Sequence, residues 1–169
     1  VVCTPRRSAA MKPVLISVTD SSRFHAERFA KRAAAIGADA LIVMPPHFMS
    51  PKPEKVIEHC MAVADAVAPL IVMVQYSPAY TGVTLPAEVF ARMHERSPNI
   101  GYVKVEPRPA GPMIEAIRTA SDGRLGCLIG QGGLTLADCR RRGIMGVMPG
   151  VAVVEVYRKL WDGLVADPV

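Results

Sequence analysis

Lys104 is the residue whose type and position most strongly suggest chemistry, because it lies inside the apolar segment 101–106. A strand of a parallel sheet is covered on both faces and normally reads as an unbroken run of Val, Ile and Leu. An ammonium group in such a strand either bears the cost of desolvation or gives up its proton. The neutral amine is a nucleophile that condenses with ketones as a Schiff base. The alternative is a strand-end lysine that pairs with Glu106 or reaches solvent.

The neighbours of Lys104 are expected to divide between two faces. Side chains alternate along a strand, so Tyr102, Lys104 and Glu106 should share one face, while Val103 and Val105 share the other. In a barrel the valines would meet the helices and the lysine would point inside, where it could meet a bound 2-oxo acid. Glu106 is then a counter-ion for Lys104 or a participant in catalysis, and both interpretations stay open.

A second candidate is the glycine-rich segment 130–133, which precedes a predicted helix. Backbone N–H groups in such a turn can hold a carboxylate or a phosphate. The segment matches neither GxGxxG nor a Walker A sequence, and a plain tight turn explains it equally well.

The composition limits the classes of protein to which the chain can belong. The chain has 169 residues, 50% of them hydrophobic, which suits one soluble domain, and no apolar stretch has membrane-spanning length. A net charge of +5 with few aromatic residues argues against nucleic-acid binding. The four cysteines form no CxxC pair, and His59 has no second ligand at metal-site spacing. We therefore expect a cytoplasmic protein without a metal or another cofactor.

The elements that must position these residues alternate along the chain. Residues 1–12 show no clear periodicity and are interpreted as a tail or a severed N-terminal end, whereas residues 13–169 form one domain. Strands are predicted at 14–18, 40–44, 70–74, 102–105, 125–129 and 144–148. Helices are predicted from the N-cap at 20–22 to Gly37, and at 53–66, 86–95, 112–119, 134–142 and 153–163.

This alternation predicts an α/β fold with a parallel sheet and right-handed crossovers. Two architectures share the pattern: an open doubly wound sheet and an incomplete (β/α)8 barrel. Both place functional loops at the carboxyl ends of the strands.

The order of these segments resembles the dihydrodipicolinate synthase/N-acetylneuraminate lyase family of class I aldolases, from about residue 14 to residue 163. Segments 37–40 and 45–48 look like the family's GADA and PPYY stretches, and Pro78-x-x-Thr81-Gly82 looks like the end of its YNxPxRTG motif. Tyr102-Val103-Lys104 occupies the place of the GIK motif, whose lysine forms the Schiff base with pyruvate or a related 2-oxo acid. Segments 130–133 and 146–149 fall where the family has its SGDD-like and GxISV-like segments. The resemblance implies a (β/α)8 TIM barrel and a lyase or aldolase.

Several positions depart from the family pattern. The family's catalytic tyrosine falls on Gln75, which would offer a hydrogen bond rather than a proton, and Tyr76 should face the opposite side. The family's carboxylate-binding arginine falls on Tyr80. These departures favour a 2-oxo acid other than that of the family's best-known synthase reaction. The positions to which we assign substrate binding are Phe48, Tyr80, Thr81, Gly130 and Gln131.

The early GTTGE segment and the first two barrel strands have no counterpart in the sequence. Six βα units cannot close an eight-stranded barrel, and an unclosed barrel exposes two strand edges that can pair with another chain. The chain is therefore interpreted as a fragment, a degenerate paralogue or a part completed by self-association, and a homo-oligomer is expected. Besides the lyase, two hypotheses stay open: a catalytically silent oligomerising or interaction module, and an open α/β sheet that binds a phosphorylated ligand at 130–133.

Overall fold

The computed structural model describes residues 12–47 and 50–166 of the chain. Its strands form one sheet in which every neighbouring pair is parallel and the order follows the sequence, β1-β2-β3-β4-β5-β6. The strands are β1 (Leu15–Ser17), β2 (Ala40–Val43), β3 (Ile71–Tyr76), β4 (Ile100–Val105), β5 (Gly126–Ile129) and β6 (Gly146–Val147). The predicted tail falls almost wholly outside the described residues.

Helices follow the strands as the alternation predicted. They are α1 (Arg23–Ala35), α2 (Pro53–Asp65), α3 (Pro78–Thr81), α4 (Ala87–Arg96), α5 (Gly111–Ala120), α6 (Leu136–Arg141) and α7 (Val154–Ala166), with 3-10 turns at Gln131–Gly133 and Val151–Val153. The short α3 was not predicted. Gly82 ends it in the left-handed region, at φ 67°, where glycine carries no steric cost.

The strand order distinguishes the two architectures. A doubly wound sheet reverses its order at a switch point, whereas these strands follow one another without reversal, as in a barrel wall. The open-sheet hypothesis is therefore wrong, and the incomplete (β/α)8 barrel is confirmed. Within residues 12–47 and 50–166, β1 and β6 each pair with a strand on one side only.

The two faces of the sheet have different neighbours. The helices pack side by side in one layer, α1 on α2, α2 on α4, α4 on α5 and α5 on α6. Strand residues that face this layer are fully buried and apolar, and include Leu41, Val43, Val74 and Val103. The opposite face holds larger and more polar side chains that keep part of their surface exposed, among them Gln75, Tyr102, Lys104 and Leu128. Among the described residues no helix has the length and hydropathy to cross a membrane.

Candidate active site

Strands β3 and β4 place four polar side chains in two adjacent rows. Their register pairs Gln75 with Lys104. The N–H of Glu106 donates to the carbonyl oxygen of Tyr76 at 2.9 Å, so the ladder continues one residue past β4. Ser77 and Glu106 therefore lie side by side at the carboxyl ends of the strands, just beyond Gln75 and Lys104. The predicted strand 70–74 stopped short of Gln75, whereas pairing with Lys104 extends β3 to Tyr76.

Lys104 and Glu106 form a shielded ion pair. Lys104 Nζ lies 3.2 Å from Glu106 Oε1, and the two side chains are 15% and 5% exposed. Gln75 Nε2 donates to the other carboxylate oxygen, Oε2, at 3.0 Å. The counter-ion role that the sequence offered for Glu106 is thus present in the structure. The contact also gives the lysine a proton acceptor within hydrogen-bond distance.

The pKa of Glu106 reflects opposing effects. Burial acts to raise it, but the hydrogen bond from Gln75 and the positive charge of Lys104 outweigh burial and hold the pKa below its usual range. The Ser77 hydroxyl acts in the same direction, although it forms no hydrogen bond of acceptable geometry. Glu106 is therefore a carboxylate at neutral pH, equipped to accept a proton rather than to supply one.

The loop after β5 is tied to the loop after β4 by Gln131. Its backbone N–H points to Glu106 Oε1 at 3.4 Å, and its side-chain amide donates to the carbonyl oxygen of Glu106. Arg108 Nε donates to Gln131 Oε1. Gln131 has φ 49°, a left-handed conformation that is uncommon outside glycine, and these hydrogen bonds offset its cost. The N–H that we expected to hold an external anion is directed at the chain's own carboxylate.

Gly130 is required by close approach rather than by its backbone angles, since its φ is −106°. A Cβ added at this position would overlap Oε1 of Glu106 and lie 2.6 Å from its Cδ. The glycine therefore leaves the space that the paired carboxylate occupies. Sequence reasoning assigned Gly130 to substrate binding and missed this packing role.

Tyr80 and Thr81, two further residues assigned to substrate binding, lie on the short helix α3 that follows Ser77. Tyr80, on α3, is 77% exposed and does not join the buried side chains. The Thr81 hydroxyl donates to the carbonyl oxygen of Ser77 at 3.1 Å and accepts from the N–H of Val83 at 3.2 Å, so it stabilises the α3 turn. Phe48 lies outside the described residues. Their assignment to substrate binding stays a prediction.

Tyr76 faces away from the cluster, as alternation predicted. Its hydroxyl donates to the carbonyl oxygen of Leu85 and accepts from the N–H of the same residue, at 3.3 and 3.1 Å. Its ring packs edge-on against Phe90. Ser77 was not among the predicted site residues. It lies two residues after Gln75, and because side chains two residues apart on a strand share a face, this spacing could have predicted that Ser77 lies beside Glu106.

A cavity of about 460 Å³ opens between the loops after β4 and β5. It borders the cluster through Glu106 and Gln131, but Lys104 does not line it. The residues that line this cavity include Glu106, Arg108, Ala110, Ile129, Gln131 and Thr135.

The described residues contain no group of three or more His, Cys, Asp or Glu side chains able to hold a metal ion.

Parallel strands wound in chain order, with polar side chains gathered where two of them end, place the chain among the (β/α)8-barrel proteins. Within that class it belongs to the Dihydrodipicolinate synthetase family, whose model matches residues 9–154. The resemblance read from the sequence motifs is confirmed at this level.

Individual relatives agree with this assignment. The 4-hydroxy-tetrahydrodipicolinate synthase of Methanospirillum hungatei JF-1 is 27% identical over 157 residues, covering 89% of this chain and 53% of the relative. A structure described as the Ruminococcus gnavus sialic acid aldolase catalytic lysine mutant aligns with a TM-score of 0.83 at 22% identity, covering 90% of this chain and 50% of that one. The chloride-inhibited dihydrodipicolinate synthase from Acinetobacter baumannii, complexed with pyruvate, gives 0.82 at 24%, covering 91% and 52%. These two structural likenesses concern the fold. The chain spans about half the length of the curated relatives it matches.

Proposed function

We propose that this chain carries the Schiff-base centre of a class I aldolase-type lyase that acts on pyruvate or another small 2-oxo acid, with Lys104 as the nucleophile. The observation that carries the proposal is the shielded pair of Lys104 and Glu106, 3.2 Å apart at the carboxyl end of a barrel strand. Relatives support it in two ways. One solved structure of the same fold contains pyruvate, and another is described by its catalytic lysine.

The geometry supplies a route to the reactive amine. The nucleophile is the neutral form of lysine, so the ammonium of Lys104 must first lose a proton. Glu106 is in contact with that nitrogen and is itself a carboxylate, so it is the acceptor. The amine then adds to the ketone, and loss of water gives an iminium that withdraws electrons from the neighbouring carbon–carbon bond. Gln75 holds Oε2 of Glu106 and supplies a hydrogen bond but no proton.

The substrate we propose differs from that of the family's best-known synthase reaction. Gln75 stands at the position of the family's tyrosine, and Tyr80, at the position of its arginine, points to solvent. Gln75 offers no proton where the family has its tyrosine, and Tyr80 offers a hydroxyl but no positive charge where the family has its arginine. A 2-oxo acid whose binding does not depend on that arginine fits the site better.

The direct test is reductive trapping. The 169-residue chain is incubated with pyruvate, and then with a panel of 2-oxo acids, in the presence of borohydride, and adducts are mapped by mass spectrometry. We expect an adduct on Lys104 that is absent from Lys104→Ala. Lys55 provides a matched control, because it is also ion-paired, with Glu58 at 2.8 Å, but is 68% exposed and remote from the cluster in sequence. Lys55→Ala should keep the adduct. Equal labelling of Lys55 and Lys104, or no adduct with any acid, would reject the proposal.

A second candidate function, a catalytically silent module that associates with itself or another protein, is favoured by helix α7. Tyr157 and Trp161 pack against the core, whereas Val156 and Leu160 on the same helix are 57% and 49% exposed. We expect sedimentation to show a concentration-dependent oligomer that Leu160→Glu weakens and Lys159→Glu, at the neighbouring polar position, leaves intact. A monomer at all concentrations would exclude self-association.

A further inference from the structure

The hydroxyl of Ser77 is buried and lacks a hydrogen-bond partner among the residues that the structure describes. Ser77 is 1% exposed, and its Oγ has no acceptable donor or acceptor. Its carbonyl oxygen, by contrast, accepts from the N–H and the hydroxyl of Thr81 at 3.0 and 3.1 Å. Native proteins leave few buried polar groups unsatisfied, and each one calls for an explanation, of which a catalytic role is one.

The position of this hydroxyl is set by the strands. Gln75 and Lys104 are register partners, and the next inward-facing residue on each strand is Ser77 and Glu106, respectively. Ser77 directly follows the last residue of β3, with φ −134° and ψ 74°, and lies two residues beyond Gln75, the spacing at which strand side chains share a face. The hydroxyl is close enough to Glu106 to help lower the pKa of that carboxyl group. An amine, a carboxylate and a hydroxyl thus lie together on one face.

Schiff-base formation needs such a third group. When an ammonium and a ketone become an iminium and water, two protons must travel from the nitrogen to the departing oxygen. Glu106 can take protons from the nitrogen, but the amide at Gln75 cannot pass them on. A hydroxyl can, since it receives one proton while it donates another.

We propose that Ser77 is a catalytic residue that relays protons from Glu106 to the oxygen leaving the 2-oxo acid, a step that rests on the function proposed above. The Lys104 ammonium gives one proton to Glu106, and the amine bonds to the carbonyl carbon. The oxygen takes the Ser77 proton, which Glu106 replaces, and a carbinolamine with a protonated nitrogen results.

The second half repeats the relay. The nitrogen gives its next proton to Glu106, and Ser77 delivers a proton to the hydroxyl group. The carbon–oxygen bond breaks, water leaves, and the nitrogen lone pair forms the carbon–nitrogen double bond. The third ammonium proton stays on the iminium, while Glu106 and Ser77 return to their starting states.

The test compares Ser77→Ala with wild type by the rate at which the trappable adduct on Lys104 forms with pyruvate, or with the panel acid that labels Lys104 best. General acid–base groups contribute roughly 100-fold or more, so we expect a loss on the order of 100-fold. Ser77→Thr keeps the hydroxyl and should recover most of the rate. Ser97→Ala is the matched control, because Ser97 is also buried but its hydroxyl is bonded to Asn99 at 2.7 Å.

Thermal unfolding of the same variants separates chemistry from folding. Because the Ser77 hydroxyl forms no hydrogen bond of acceptable geometry, Ser77→Ala should lower the melting temperature less than Ser97→Ala, and Ser97→Ala should still label at the wild-type rate. Wild-type labelling in Ser77→Ala, or a rate loss that tracks a lowered melting temperature, would overturn the relay while leaving Lys104 as the nucleophile. Absence of any adduct in wild type would instead remove the proposed function itself.

Discussion

Gly130→Ala is predicted to dislodge the Glu106 carboxylate. The added methyl group would overlap Oε1 and lie 2.6 Å from Cδ, so the carboxylate must move away from Lys104 and from the N–H of Gln131. Overpacking of this kind costs typically about 1–3 kcal/mol. Weakening the charged contacts acts in the same direction, so we expect a loss in the upper part of that range, about 2–3 kcal/mol.

The measurement is the free energy of unfolding from denaturant titrations at neutral pH. Gly150→Ala is the matched control, since Gly150 has φ −64° and open space around its Cβ position. It should change stability by less than about 1 kcal/mol, toward greater stability. A third variant isolates the cause: in a Glu106→Ala background the clashing carboxylate is gone, so adding Gly130→Ala should cost little. An equal cost of Gly130→Ala in both backgrounds would refute the proposed clash.

Three further predictions concern the pKa of Glu106, the hydroxyl of Tyr76 and the backbone of two glycines. The pKa of Glu106 is lowered on folding, so its contribution to stability is complete above its ordinary value of 4.5 and is lost as the pH falls through the lower, folded value. Glu106→Gln should therefore flatten the pH dependence of unfolding below about pH 5, and unchanged steepness would contradict this. Tyr76→Phe leaves the N–H of Leu85 without its buried acceptor and should destabilise the chain by about 1–3 kcal/mol, measured by urea unfolding; a neutral result would mean that solvent reaches the N–H. Gly123→Ala, at φ 71° with open space around its Cβ position, should cost about 1–2 kcal/mol, whereas Gly163→Ala, inside α7 and also with open space around it, should stabilise by about 0.5–1 kcal/mol; thermal melting gives both signs, and equal signs would refute the conformational explanation.

The sequence predicted the strands and helices well, because their signals are local. Apolar runs of about five residues, separated by Pro, Gly and helical stripes, mark each of the six strands. The order of those strands in the sheet could not be predicted in the same way, because an open sheet and a barrel share the same alternation of strands and helices. Only the family motifs favoured the barrel. Boundaries moved where pairing decides them: β3 extends through Gln75 because Lys104 lies opposite it.

The candidate site could be predicted only where it depends on the alternation of side chains within one strand. Alternation along one strand placed Lys104 and Glu106 together, and alternation along another turned Tyr76 away. The contacts of Glu106 with Gly130 and Gln131 could not be predicted from the sequence, because they join residues more than twenty positions apart. Such contacts depend on the register between strands, which is set by packing over the whole sheet.

The place of the cluster within the sheet has a consequence for its robustness. β3 and β4 have two strands on either side, and their shared ladder is the longest, whereas β6 pairs through two residues only. Local opening in proteins begins at such short, sparsely paired borders. Fluctuations of the outer strands, or the docking of further strands onto them, can therefore proceed while Lys104 and Glu106 keep their spacing. The distance between the two side chains therefore does not depend on the order of the outer strands.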